Sequence, residues 1–216
     1  TVKADETKTF QDVLVGEVWM CSGQSNMAMT LGGDWKSEVE SLSSNHPNLR
    51  LISVPRVGTQ ELQNDFKGQW ESANSSNCKS FSAVGFFYGR YLHKILGVPV
   101  GLINNAWGGS AAEAWVRRDS LEKDPRFTTL MEAWKNREAD HQSDEAKEKY
   151  AVALAVWRGK AAAAKAAGKP VPRPPGSPES MLTGNQRPGN IFAGVVHPTL
   201  GYGIKGVIWY QGESNA

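Results

Sequence analysis

The residues best suited to chemistry fall in three short clusters: Gly23-Gln24-Ser25-Asn26, Trp107-Gly108-Gly109-Ser110 and Gln211-Gly212-Glu213-Ser214-Asn215. A serine is a weak nucleophile until a base takes its proton, and it needs an exposed, sharply held position. Gly23 lets the chain bend tightly ahead of Ser25, and such a turn can aim amide N–H groups at the space over the hydroxyl. The same string also fits a simple turn or an N-cap serine. Gly108 and Gly109 leave backbone N–H groups uncovered, as an oxyanion hole requires; one such donor is typically worth about 3–4 kcal/mol in the transition state. A tight βα turn has the same composition. In the third cluster Gln211 or Asn215 can donate a side-chain N–H to an oxyanion, and Glu213 can orient a histidine or hold a loop. The alternative there is a polar strand end facing water.

Each cluster follows an apolar run that reads as a strand. Val13 to Cys21, Val98 to Asn104 and Gly206 to Tyr210 are predicted strands, with Leu49 to Val54 another. Phe81 to Leu96 is predicted as a helix with Ser80 as N-cap and Gly97 beyond its end. Phe81, Val84, Tyr88, Tyr91, Leu92 and Ile95 form its apolar stripe. Strands separated by helical stretches point to a parallel sheet in an α/β fold, and ligands of such sheets bind at the carboxyl ends of the strands. Phe127 to Ala167 is rich in Ala, Lys and Glu, which favour helix, and Gly168 stops it ahead of Pro170, Pro172, Pro174, Pro175 and Pro178. The region of about 119–180 is expected to be an inserted helical hairpin with a Pro-rich return; one long surface helix of the core fold is the alternative.

The chain has 216 residues, 40% hydrophobic and 21% charged, which suits one sizeable globular domain or one with an insert. A net charge of +2, from 24 basic and 22 acidic residues, gives no electrostatic case for nucleic acid or a membrane surface. No apolar run approaches the ~20 residues of a membrane span. Cys21 and Cys78 lack metal-ligand spacing and read as unpaired thiols, with one disulfide as the alternative. His46, His93, His141 and His197 are too scattered for a zinc site. No Lys follows Gly108-Gly109 in the manner of a phosphate-binding P-loop.

Taken together, the stretches Asp12 to Met27, Phe81 to Trp115 and Ile204 to Ala216 resemble the sialate O-acetylesterase family, a branch of the SGNH hydrolases. The resemblance covers most of the chain outside roughly 119–190. It implies a three-layer α/β/α sandwich with a parallel, flavodoxin-like sheet. The implied reaction is hydrolysis of acetyl esters on sugars, of sialic acid or plant polysaccharide, through a serine acyl-enzyme with no metal or organic cofactor. Ser25 matches the family nucleophile, and Glu213 joins it as the second catalytic position. Gln24, Gly108, Gly109, Gln211 and Asn215 fall at oxyanion or substrate-binding positions. The family also implies a secreted or periplasmic location, although Thr1 to Thr9 carry no signal peptide. Its Asp-x-x-His segment has no counterpart in this sequence. Residues 1–12 are therefore expected to end a preceding segment and 13–216 to be the N-terminal part of the hydrolase domain, inactive alone. The competing expectation is a non-catalytic carbohydrate-binding domain of the same fold.

Overall fold

The computed structural model describes residues 2, 3 and 7–215. Thr1 and positions 4–6 of the 1–12 segment lie outside the described residues, as does Ala216, the last residue of the third resembling stretch. The chain forms two compact units. One draws on 1–55, 66–108 and 201–211, the other on 56–65, 109–200 and 212–216.

The first unit contains the sheet. β1 (Val2–Lys3) and β2 (Thr7–Lys8) form a small antiparallel ladder. β3 (Glu17–Gly23), β4 (His46–Ser53), β5 (Glu71–Ala73), β6 (Val100–Asn104) and β7 (Gly206–Tyr210) form a five-stranded sheet in the order β5-β4-β6-β3-β7. β4, β6, β3 and β7 are parallel, and only β5 runs against its neighbour. This is the expected α/β fold with a parallel sheet. β3 and β6 begin later than their apolar runs suggest. Glu17 pairs with Val100 at the start of both strands, and the last contact before it is Glu17 N–H donating to the Pro99 carbonyl at 3.0 Å. Pro99 has no N–H to extend the ladder. Val13 and Val15, beyond that limit, are 69% and 90% exposed.

Three helices complete this unit: α1 (Ser25–Ala28), α2 (Ser37–Leu42) and α3 (Ala83–Leu96). Ser82, not Ser80, caps α3, its hydroxyl accepting from Gly85 N–H at 3.0 Å. Gly97 ends it with φ +68°, as expected. The buried face differs from the predicted stripe: Ala83, Gly85, Phe86 and Gly89 are buried, whereas Tyr91 and Ile95 are 67% and 63% exposed. Helix and sheet meet through small residues. A Cβ on Gly85 would lie 2.7 Å from Cys21 Sγ, and one on Gly89 would lie 2.6 Å from Leu102 Cδ1. A hydrophobicity pattern does not register glycine as a contact residue. Phe86, Met27, Leu31, Leu49, Leu51, Val100 and Leu102 fill the core, each such side chain contributing about 2–3 kcal/mol of burial. Cys21 and Cys78 are buried free thiols.

The second unit contains α4 (Arg118–Lys123), α5 (Thr128–Gln142), α6 (Asp144–Ala166) and α7 (Pro178–Leu182). Ser143 breaks the long helical region in two and caps α6, accepting from Ala146 N–H at 3.1 Å. One continuous helix is thereby replaced by two. The Pro-rich return is non-helical as far as Ser177, but Pro178 opens α7, where a proline's missing N–H costs the helix nothing, and Trp157 Nε1 donates to the Pro172 carbonyl at 2.8 Å. α5 buries Trp134 and carries Glu138, which accepts from Arg118 Nη1 at 2.6 Å and Arg187 Nε at 2.8 Å. No helix among the described residues is long and apolar enough to cross a membrane.

Burial pushes the Glu138 carboxyl up, but the hydrogen bonds and charges of Arg118 and Arg187 outweigh it and leave its pKa below the ordinary value. A depressed carboxylate stabilises the fold above its unfolded pKa, near 4.3, and loses that contribution as pH falls through the folded value. Glu138→Ala should cost about 2 kcal/mol at neutral pH, because Arg187 loses its carboxylate partner and Arg118 is left with Glu122 alone. Paired urea melts should show the gap at pH 7 and its progressive narrowing as pH falls below about 4.3 and on through the lowered folded-state value.

Candidate active site

The first unit gathers three strand ends. β3 closes on Gly23, whose φ is +126°. A Cβ there would lie 2.0 Å from the Tyr210 carbonyl oxygen, so the turn admits only glycine without displacement. That carbonyl accepts from Gln24 N–H at 2.8 Å, fastening the end of β7 to the turn. Trp107 N–H donates to the Gly23 carbonyl at 2.9 Å, fastening the loop after β6 to the same point. Gln24 is buried, and Ser25 emerges exposed as the first residue of α1. Gln24 holds the cap position, so Ser25 is not an N-cap serine.

Gly108 stands directly against the serine. A Cβ built on it would lie 3.5 Å from Ser25 Cα and 3.7 Å from Ser25 Cβ. Gln211, half-buried, follows β7 in the same unit. Cys21, in β3, is no rival nucleophile: it is fully buried, and burial pushes its thiol up to about 12.

Gly109, Glu213 and Asn215 belong to the second unit. Gly109 has φ +72°, and the nearest atom to a Cβ there is Asn185 Nδ2 at 3.7 Å. The Gln186 side-chain amide donates to its carbonyl. Glu213 opens a short 3-10 turn, Glu213–Asn215, and is exposed. The Asn215 amide is held at both ends. Its oxygen accepts from Ala112 N–H at 2.9 Å, and its nitrogen donates to the Glu113 carboxylate at 2.9 Å.

The histidines are dispersed. His46 opens β4 and the His93 ring nitrogen Nδ1 bonds the Val98 carbonyl at 2.6 Å, so both lie toward the amino ends of the strands, away from Ser25. His46 titrates below its ordinary value through burial, then through the charges of Arg90 and His93. In the second unit His141 is in the last turn of α5, and His197 Nδ1 donates to the Gln63 carbonyl at 2.7 Å. Among the described residues no three His, Cys, Asp or Glu gather as a metal-binding group.

Two residues stand out that the sequence did not single out for a role. Glu113 anchors Asn215. Asn105, 2% exposed, accepts from the Ser22 hydroxyl and donates to Met20 Sδ at 3.2 Å. The available signal was a polar Asn104-Asn105 pair closing an otherwise apolar strand.

Residues 15–155 match the family described as carbohydrate esterase, sialic acid-specific acetylesterase. The chain is 32% identical over 222 residues to the sialate O-acetylesterase of Pongo abelii, covering 99% of this chain and 34% of that protein. It is 30% identical to the sialate O-acetylesterase of Homo sapiens, with the same coverage of 99% and 34%. A crystal structure of a carbohydrate acetylesterase from Xanthomonas citri matches it with a TM-score of 0.64 at 28% identity, over 94% of this chain and 34% of that one. The chain thus spans about a third of the length of the curated relatives it matches. With its parallel sheet, its glycine turn before Ser25 and this match, the chain belongs to the sialic acid-specific acetylesterase family of carbohydrate esterases.

Proposed function

We propose that the protein is a carbohydrate O-acetylesterase with Ser25 as nucleophile and the Gly108 N–H as an oxyanion donor. The observation that carries the reading is the seating of the Gly108 backbone against Ser25 at the carboxyl ends of parallel strands. It also favours Gly108 over Gly109 for that part. Ser25 Oγ gives its proton to a general base and bonds the acetyl carbonyl carbon. The carbonyl electrons move to oxygen, where Gly108 N–H and the Gln211 amide stabilise the charge. The tetrahedral centre collapses, the carbon–oxygen bond to the sugar breaks, and the sugar oxygen takes the proton. Water then attacks the acetyl-enzyme and releases acetate and the free serine. Glu213 is assigned to orienting the base and Gln24 to the buried support of the turn, while Asn215 acts through its bonds to Glu113 and Ala112. A secreted or periplasmic location fits an acetylated carbohydrate substrate.

Turnover of 4-nitrophenyl acetate and of an acetylated sugar by the full-length protein tests this reading against sugar binding without catalysis. Acetylated-sugar binding with no acetate release would sink it. Two variants probe the oxyanion assignment. Gly108→Val should place methyl groups over Ser25 and lower kcat about a hundredfold with little change in Tm. Gly109→Val should instead lose about 1–2 kcal/mol of stability, because φ +72° strains a branched residue. The reverse pattern would move the oxyanion donor to Gly109. Gln211→Ala should lower kcat roughly a hundredfold at nearly constant KM. A change in KM alone would make Gln211 a substrate-binding group only.

A further inference from the structure

We propose that Asn105 is a positioning residue for the esterase reaction, locking the Gly108 loop to the Ser25 turn through Ser22. This inference rests on the reading of Ser25 and Gly108 given above and deepens it. Asn105 and Ser22 are 2% and 3% exposed and join side chains across the carboxyl ends of neighbouring strands. Asn105 immediately follows β6, and Ser22 is in the final stretch of β3. Its backbone joins the same lock, Asn105 N–H donating to the Cys21 carbonyl at 3.2 Å. A short loop then runs from Asn105 to Gly108, and a short turn runs from Ser22 to Ser25. Their relative height is set by this side-chain bond together with the backbone ties of Asn105 and Trp107.

Beyond Asn104 the β3–β6 ladder has ended, and the loop is tied to the turn by the Asn105 N–H and by Trp107 N–H donating to Gly23. The Asn105 side chain adds a buried tie between them, and its nitrogen is occupied by Met20 Sδ, so the amide cannot rotate without leaving a buried polar group unpaired. An oxyanion donor must sit within a few tenths of an ångström of its place, and a misplacement of about 1 Å costs about a hundredfold in rate. The pair's work therefore lies in kcat.

The test uses the full-length protein with Asn105→Leu, Ser22→Ala and the double variant. Kinetics on 4-nitrophenyl acetate are paired with residue-resolved amide hydrogen exchange. The expected result is a fall in kcat of about 30- to 100-fold in each, KM within about twofold, and a double variant no slower than the slower single one. The Trp107 amide should exchange faster, while ladder amides such as Trp19 and Leu102 keep their protection. Wild-type kcat in Asn105→Leu would overturn the proposal. So would loss of protection across the whole sheet in both single variants, which marks a core role only. Ser22→Ala, the smaller change, keeps the test decisive should Asn105→Leu fail to fold. If the wild-type protein turns over no acetyl ester, the esterase reading falls. The lock itself is then decided by exchange alone: an unchanged Trp107 amide in Ser22→Ala overturns it.

Discussion

Ser25→Ala should lower acetyl-ester turnover in the full-length protein by on the order of 10⁴–10⁶-fold while Tm moves by no more than about 1 °C. The separation of the two effects is the point. Loss of a nucleophile removes the covalent route altogether, and what remains is the slow attack of water assisted by the oxyanion donors. Stability is another matter, because the serine has no structural duty. It is exposed and belongs to α1, whose cap position is Gln24. An N-cap serine replaced by alanine would cost about 1 kcal/mol. At the first helical position alanine is at least as good as serine, so no cost is expected. Steady-state kinetics and a thermal melt on the same preparation check both halves. Activity within tenfold of wild type would remove Ser25 from the chemistry. A fall of more than about 5 °C with activity lost would make it a structural residue.

The sequence made the strand ends legible for a reason. Gly206–Tyr210 is a run of β-formers bounded by polar residues, and it was found with its true limits. β3 and β6 were found but begun too early, because an apolar run does not disclose where its partner's last N–H lies; Pro99 sets that limit from the neighbouring strand. The period and Gly97 disclose α3, while the apolar stripe does not disclose which face is buried. That face holds Ala83 and Phe86, and Gly85 and Gly89 let it close on the sheet by an absence of atoms.

The site shows the same division. Ser25, Gly108 and Gln211, the proposed nucleophile and oxyanion donors, can be put forward from sequence because clusters that end parallel strands face the place where ligands bind. Choosing between Gly108 and Gly109 was not legible. The proposal of Gly108 turns on its facing Ser25 so closely that a Cβ on it would lie 3.5 Å from Ser25 Cα, a contact between residues far apart in the chain. Asn105 and Glu113 escaped for that reason too. Their partners Ser22 and Asn215 stand 83 and 102 positions away. Asn215, offered as an oxyanion donor, has both ends of its amide committed inside its own unit.

Gly23→Ala should behave in the opposite way to Ser25→Ala, with stability and turnover falling together. The added methyl has nowhere to go. It would lie 2.0 Å from the Tyr210 carbonyl oxygen and 2.6 Å from its carbon, and these are backbone atoms that no rotamer change can move. Backbone φ of +126° adds strain of about 1–3 kcal/mol for any residue bearing a Cβ. Relief requires β7 to move away from β3. That breaks the Gln24 N–H bond to Tyr210 and disturbs the Trp107 N–H bond to Gly23, two of the ties that hold the strand ends around Ser25. The combined cost is expected to be about 3–5 kcal/mol, or roughly 10 °C in Tm for a chain of this size. At temperatures where the variant is still folded, kcat should be lower by about a hundredfold or more, since the serine and its oxyanion donor shift against each other. A thermal melt and kinetics at 15 °C check this. A variant with Tm within 2 °C of wild type would show that the turn before Ser25 does not take the glycine-only conformation.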